Sequence, residues 1–331
     1  MSVIAGSSLF QGVILLADSR VTIRRLGRKD VYCDNAQKLF PLSPNSVLGF
    51  VGDLKTAAPL IRELLRQIEQ KYKQGHAKRV HPLSLLRWLP RYFRSAYKYL
   101  SKKWDVGRVD FMIGSVIPEK NNVIERVKVV EIMERFRLGK LSAQRNWLPG
   151  ILIKILKMPV DKKYIVLSDV PANLLYYMQS PKFVPSFLAP LEYAAIGSGD
   201  KVIMDIDRNA DWIFAGEVGN SFQESMALRE TVSSFIEKNS IISVGGLYPA
   251  IKIYKDHIDY LCYSMQIPAG GSTFELSINK DRRWIQKNKL TGKEIKLLFP
   301  WEIDPNEYHH DERFDDLKDA LSRTKIRTIK K

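Results

Sequence analysis

Four residues near the start of the chain have types and spacing that make hydrolytic chemistry reasonable: Ser2, Asp18, Lys38 and Gly52. A serine hydroxyl is a weak nucleophile until a base takes its proton. A serine at a free N-terminus carries that base with it. Its α-amine titrates at about 7.7–8.0, so part of it is neutral near neutral pH. Loss of Met1 turns Ser2 into such a pair, and initiator methionine is usually trimmed before small residues. Lys38 offers a cation that stabilises developing negative charge, and Asp18 a carboxylate that holds the cation. Gly52 offers a backbone N–H to an oxyanion and lets a substrate approach closely. Taken singly, Asp18 reads as a turn aspartate and Lys38 as a solvated lysine. Their joint occurrence with Ser2 and Gly52 carries the reading.

The elements around these residues must bring them together. Residues 2–9 read as a strand, Gln11-Gly12 as a turn, and 13–18 as a nearly all-apolar strand buried on both faces. So tight a connection predicts an antiparallel hairpin. Such a hairpin returns Asp18 to the start of the first strand, next to Ser2. A short strand is expected near Asp30–Cys33 and another at Val47–Val51, closed by Gly52-Asp53. Leu54, Ala57, Ile61, Leu64, Leu65, Ile68 and Tyr72 recur at helical spacing behind Asp53 as N-cap. A second helix is expected over about 82–103, with Pro90 as a kink or break. Strands follow at 109–117 and 124–133. The stretch 134–190 reads as an insertion with short elements of its own. A helix over 221–238 turns Phe222, Met226, Val232 and Phe235 inward, and strands follow near 246–254 and 257–263. The tail 264–331 suggests a hairpin (273–279 and about 284–289) and a charged helix at 312–323. This order suits two sheets packed between helix layers.

Composition sets wider bounds. The chain has 331 residues, 45% hydrophobic and 27% charged, ordinary for a soluble globular protein. No apolar run approaches the ~18 residues of a membrane helix, and no targeting segment is visible, so no membrane partner is expected. Cys33 and Cys262 make no disulfide framework and read as buried small hydrophobes in a reduced, cytoplasmic setting. The net charge of +16 favours acidic partners. The positive residues concentrate between Lys55 and Arg108 and again over Arg323–Lys331. No aromatic-interleaved motif supports nucleic acid as a partner, and the plainer reading is a solvated basic face. His309-His310, near Asp304 and Glu307, lack the companions of a metal site. No metal or cofactor is expected.

Four segments, in order, also resemble a known family. They are Ser2-Val-Ile-Ala-Gly6, then Gly12-Val-Ile-Leu-Leu-Ala-Asp18-Ser19-Arg20-Val-Thr22, then Asn35-Ala-Gln-Lys38-Leu-Phe-Pro-Leu42, then Gly49-Phe-Val-Gly52-Asp53. Together they resemble the opening of a proteasome β-type subunit, a branch of the N-terminal-nucleophile (Ntn) hydrolases that includes bacterial proteasome-like proteins. The likeness covers about 2–118 and 192–263. It implies an α+β fold, a four-layer αββα sandwich of two antiparallel sheets between helix layers. The Ntn domain would span 1–263 and a C-terminal extension 264–331. It implies Ser2 as nucleophile, its own amine as general base, Lys38 as stabiliser of the alkoxide-like state, Asp18 as holder of Lys38 and Gly52 N–H as oxyanion donor. Gly197-Ser198-Gly199 resembles the segment whose serine supports the nucleophile. Thr22 resembles the position whose backbone pairs with an extended peptide. Arg20 lies in the same substrate-side segment, and Phe50 matches the base of the pocket for the residue before the scissile bond.

The family implies peptide or unfolded-protein substrates, a homo-oligomer, and an ATPase regulator. Two departures matter. In many active members an Asp and a Ser precede the Gly245-Gly246 turn, where this chain has Ile241 and Val244. Serine also replaces the usual threonine, losing a methyl group that restrains the hydroxyl. Two alternatives therefore stand beside the peptidase: a catalytically silent scaffold subunit, and an Ntn amidase acting on a small amide.

Overall fold

The computed structural model describes residues 2–9, 12–23, 29–75, 80–118, 173–188, 193–198, 200–202, 221–261, 263–265, 272–304 and 308–329. The strands are β1 (Val3–Leu9), β2 (Gly12–Ala17), β3 (Val21–Ile23), β4 (Val31–Cys33), β5 (Leu39–Ser43), β6 (Ser46–Gly52), β7 (Val109–Val116), β8 (Asn173–Gln179), β9 (Ser186–Phe187), β10 (Tyr193–Gly197), β11 (Ala250–Ile253), β12 (Ile258–Leu261), β13 (Tyr263–Met265), β14 (Ser272–Ile278), β15 (Trp284–Asn288) and β16 (Glu294–Lys296). The helices are α1 (Leu54–Lys73), α2 (Pro82–Lys103), α3 (Ser221–Lys238) and α4 (His310–Ile329). Among the described residues the chain is thus a mixed α+β protein with antiparallel sheets and four helices.

One five-stranded sheet has the order β10-β1-β2-β11-β12, and a second has β5-β6-β7-β8-β9. Side chains alternate across a strand, and the apolar run of β2 uses both of its faces. Val13, Leu15 and Ala17 meet Val47, Val51 and Met112 of the second sheet in one core. Ile14 and Leu16 meet Leu228, Val232 and Phe235 of α3 in another. The second sheet also has two apolar faces, and Leu48 and Phe50 turn away from the first sheet to pack with α1 and α2. That is why β2 and β6 read as continuous apolar strands rather than alternating ones.

The β1–β2 hairpin forms as the sequence implies. Asp53 caps α1, its carboxylate accepting from Thr56 N at 2.9 Å. Pro90 does not end α2: a single helix runs from Pro82 to Lys103 across it, since proline forfeits one backbone donor and its ring is buried here in the apolar face. Residues 173–179, inside the stretch read as an insertion, form β8 and pair with β7 along their whole length. The strand expected at 124–133 lies outside the described residues. The expected C-terminal hairpin is present as β14–β15, and the charged helix is longer than expected, spanning His310–Ile329. Among the described residues no helix is long and apolar enough to cross a membrane.

The C-terminal segment is packed into the body. Trp284 and Leu297 enter the core between the sheets, while Phe299, Ile303, Tyr308 and Leu317 join the core beneath α1 and α2. His310, at the start of α4, is buried with its ring edge-on to Tyr308. Burial pushes its imidazole from the ordinary 6.5 down to about 4. An unfolded chain protonates this histidine near 6.5 and the folded chain only near 4. Its contribution is therefore full above that range and lost as pH falls through it, roughly 3 kcal/mol in all. Urea unfolding at pH 7 and pH 4 should show a His310→Leu variant losing less stability on acidification than the wild type. Equal losses would contradict this.

Candidate active site

The hairpin register sets the first contact. Asp18 N donates to Val3 O at 3.2 Å, and Val3 N donates to Asp18 Oδ1 at 2.8 Å. The carboxylate is thereby fixed beside the residue following Ser2. Lys38 precedes β5, whose pairing with β6 aims the lysine toward the same point. Its ammonium donates to Ser2 Oγ at 2.8 Å, Asp18 Oδ1 at 2.8 Å and Arg20 O at 2.5 Å. An ammonium has three protons, and each has an acceptor. Ser2 is 5% exposed, and the Lys38 and Asp18 side chains are fully enclosed.

Two turns close the arrangement. Ser198 N donates to Ser2 O at 2.8 Å, so Ser198 touches Ser2 through its backbone. Gly197 makes this approach feasible: its φ is +94°, and a Cβ there would lie 2.1 Å from Ser2 O. On the other side Gly245 N donates to Asp18 Oδ2 at 3.4 Å. Burial pushes the Lys38 ammonium below its ordinary range, against the pull of Asp18. It likewise pushes the Asp18 carboxyl up, against Lys38 and the two backbone donors.

A cavity of about 1040 Å³ opens in front of Ser2, and Thr22, Phe50, Gly52 and Ser198 line it. Gly52 ends β6 at φ +108°, where a Cβ would lie 2.3 Å from Arg108 O. Phe50 forms part of the wall while its ring packs into the helix-side core 6.3 Å from Phe40. Thr22 sits on β3, paired with Tyr32 of β4. Arg20 is different. It is not part of the cavity wall. Its guanidinium is held by both oxygens of Asp34, at 2.6 and 2.8 Å, and by Ile242 O at 2.9 Å. Its link to the site is its own carbonyl, under Lys38.

Sequence reasoning did not find Ser19 and Asp34. Ser19 Oγ donates to Asp34 O and accepts from Leu247 N at 2.7 Å. Gly246, at φ +75°, leaves room for this, since a Cβ would lie 2.6 Å from Ser19 Oγ. The available signal was the position of Ser19, directly between Asp18 and Arg20. Val244 is buried in the core against α3, and Ile241 packs against it. Among the described residues no cluster of three or more His, Cys, Asp or Glu side chains is placed to hold a metal. No protein-family model matches the chain, and no curated protein matches it.

Removing one partner of a buried, hydrogen-bonded ion pair costs about 3–5 kcal/mol. Lys38→Met keeps an unbranched apolar chain one atom shorter but strands Asp18. Denaturant unfolding should show a loss of that size, and a loss below about 1 kcal/mol would mean the pair is not held as described.

Proposed function

We propose that this chain is an Ntn hydrolase of proteasome β type that cleaves peptide bonds with Ser2 after the Met1–Ser2 bond is broken. The observation that carries this is the Ser2 hydroxyl seated 2.8 Å from a fully buried Lys38 that is itself held by Asp18. A lysine enclosed at that cost has little structural reason to end on a serine hydroxyl at the mouth of a cavity. The order of the three cores supports the same reading, since helices, sheet, sheet and helix in succession fit a four-layer αββα sandwich.

In this mechanism the freed α-amine of Ser2 takes the Oγ proton, directly or through one water, as Oγ attacks the scissile carbonyl. Lys38 stabilises the alkoxide-like oxygen. The Gly52 N–H donates to the oxyanion. The amine then passes its proton to the departing amino group, leaving an ester on Ser2. Water, deprotonated by the same amine, hydrolyses that ester and restores the hydroxyl. The peptide lies extended along β3 at Thr22, with the side chain before the scissile bond directed toward the apolar wall at Phe50. A homo-oligomer, an ATPase regulator and unfolded-protein substrates belong to this proposal.

One observation favours a silent scaffold instead. Ile241 and Val244 place apolar side chains, turned into a core, where the family's active members have polar supports for the amine. Hydrolysis of a fluorogenic peptide panel separates the two readings. The wild type should cleave after apolar residues in preference to charged ones, and Ser2→Ala and Lys38→Ala should each lose at least roughly a thousandfold in kcat. Preference for charged residues would overturn the role of Phe50. Equal rates for wild type and Ser2→Ala would overturn the mechanism.

A further inference from the structure

Lys38 is flanked on both sides by residues that the C-terminal segment holds. On the backbone, Leu298 N donates to Asn35 O and Gln37 N donates to Leu298 O, each at 2.7 Å, a short parallel bridge centred on Ala36. Gln37 is 1% exposed, and its amide is engaged at both ends. Its Nε2 donates to Arg282 O at 2.8 Å and to Leu39 O at 3.2 Å, and its Oε1 accepts from Trp284 N at 3.0 Å. A buried primary amide with both donors and its acceptor used is a stiff joint, because releasing any one bond leaves a polar group stranded. Trp284, also 1% exposed, donates its indole N–H to Leu39 O at 3.1 Å. One residue further on, the ring of Phe40 stacks with Phe299 and Trp301 at 6.3 and 6.5 Å.

The body of the protein holds the same strand from its other side, with Leu39 and Phe40 paired to Gly49 and Leu48 of β6. Ala36 N donates to Ser19 O at 2.9 Å, and Phe50 N reaches Lys38 O at 3.3 Å. Just before β5, the Asn35 carbonyl, the Gln37 N–H and the Gln37 side chain are thus held by residues 282–298.

We propose that the C-terminal segment is a brace that positions Lys38, with Gln37 and Trp284 as its positioning residues. The inference rests on the hydrolase reading of the site. It makes the extension part of the active-site machinery rather than an appendage. Side chains alternate along an extended chain, so fixing Gln37 and Leu39 toward the C-terminal segment turns Lys38 toward Ser2. Catalytic geometry has to be held within about 0.5 Å. If the brace loosens, the lysine moves off the hydroxyl and water reaches it. Water relieves the burial that disfavours its charged form. The reaction should then slow, and the alkaline limb of its pH profile, where Lys38 loses its charge, should move to higher pH.

The test uses the full chain with two mild variants, Gln37→Leu and Trp284→Phe. Lys287→Ala, on the exposed face of the same C-terminal sheet where it pairs with Glu294 at 3.8 Å, serves as control. Formation of the Ser2 adduct with a peptide epoxyketone is followed by intact mass across pH, and amide hydrogen exchange is followed over residues 35–40. The brace predicts at least tenfold slower adduct formation in Gln37→Leu, an upward shift of the alkaline limb of its pH profile and faster exchange over 35–40. Trp284→Phe should show the same changes to a smaller degree, and the control none. Faster exchange with an unchanged rate of adduct formation and an unchanged pH profile would overturn the proposal, leaving only a structural joint. Unchanged exchange in both variants would also overturn it, because the strand would then not be held from the C-terminal side. A wild type that never forms the adduct would defeat the hydrolase reading itself. Exchange alone would then decide whether the segment holds the strand, and unchanged exchange would still overturn the brace.

Discussion

The site depends on one arrangement: a lysine and an aspartate buried together under a serine hydroxyl. Removing two charges from water costs several kcal/mol each, and attraction repays that only when geometry and hydrogen bonding are nearly complete. Here they are. Three acceptors take the Lys38 protons. Asp18 receives Lys38 and the backbone N–H groups of Val3 and Gly245. Each partner comes from a different part of the chain, so the pair forms only when the β1–β2 hairpin, the strand carrying Lys38 and the turn at Gly245 are all in place. The glycines at 197 and 246 follow from the same demand, since side chains there would collide with Ser2 O or Ser19 Oγ.

The hairpin and the site were legible in the sequence for a shared reason. Ser2, Asp18, Lys38 and Gly52 lie within the first 52 residues, joined by strands whose apolar runs are unambiguous. The hairpin alone brings Asp18 beside Ser2, so that part of the site could be read from local pairing. The helices were also plain, because α1 and α2 carry strong apolar stripes. What escaped were features set by distant partners. Asn173–Gln179 is a strand because β7 lies beside it, and nothing in its own pattern separates it from the stretch around it. Residues 284–298 look like a peripheral hairpin, yet Trp284 lies in the core between the sheets. Pro90 signals a break, yet α2 continues because its buried face is fixed by tertiary packing.

The departures at Ile241 and Val244 have a structural counterpart. Arg20 is held by Asp34 and by the carbonyl of Ile242, tying the segment beneath Lys38 to the turn before Gly245. Ser19 makes a second tie to the same turn through Leu247 N. The apolar side chains at 241 and 244 thus strengthen the core against α3, while polar connection across the site passes through Arg20, Asp34 and Ser19. The central question is therefore whether the amine and hydroxyl of Ser2 act together.

Intact-mass spectrometry with a peptide epoxyketone answers it, because this electrophile is trapped stably by a hydroxyl and a free amine on one residue. The account predicts that Met1 is absent and that one adduct forms on Ser2, missing from Lys38→Ala. Retained Met1, or a free Ser2 that stays unmodified, would contradict it and leave a silent scaffold built around a buried ion pair.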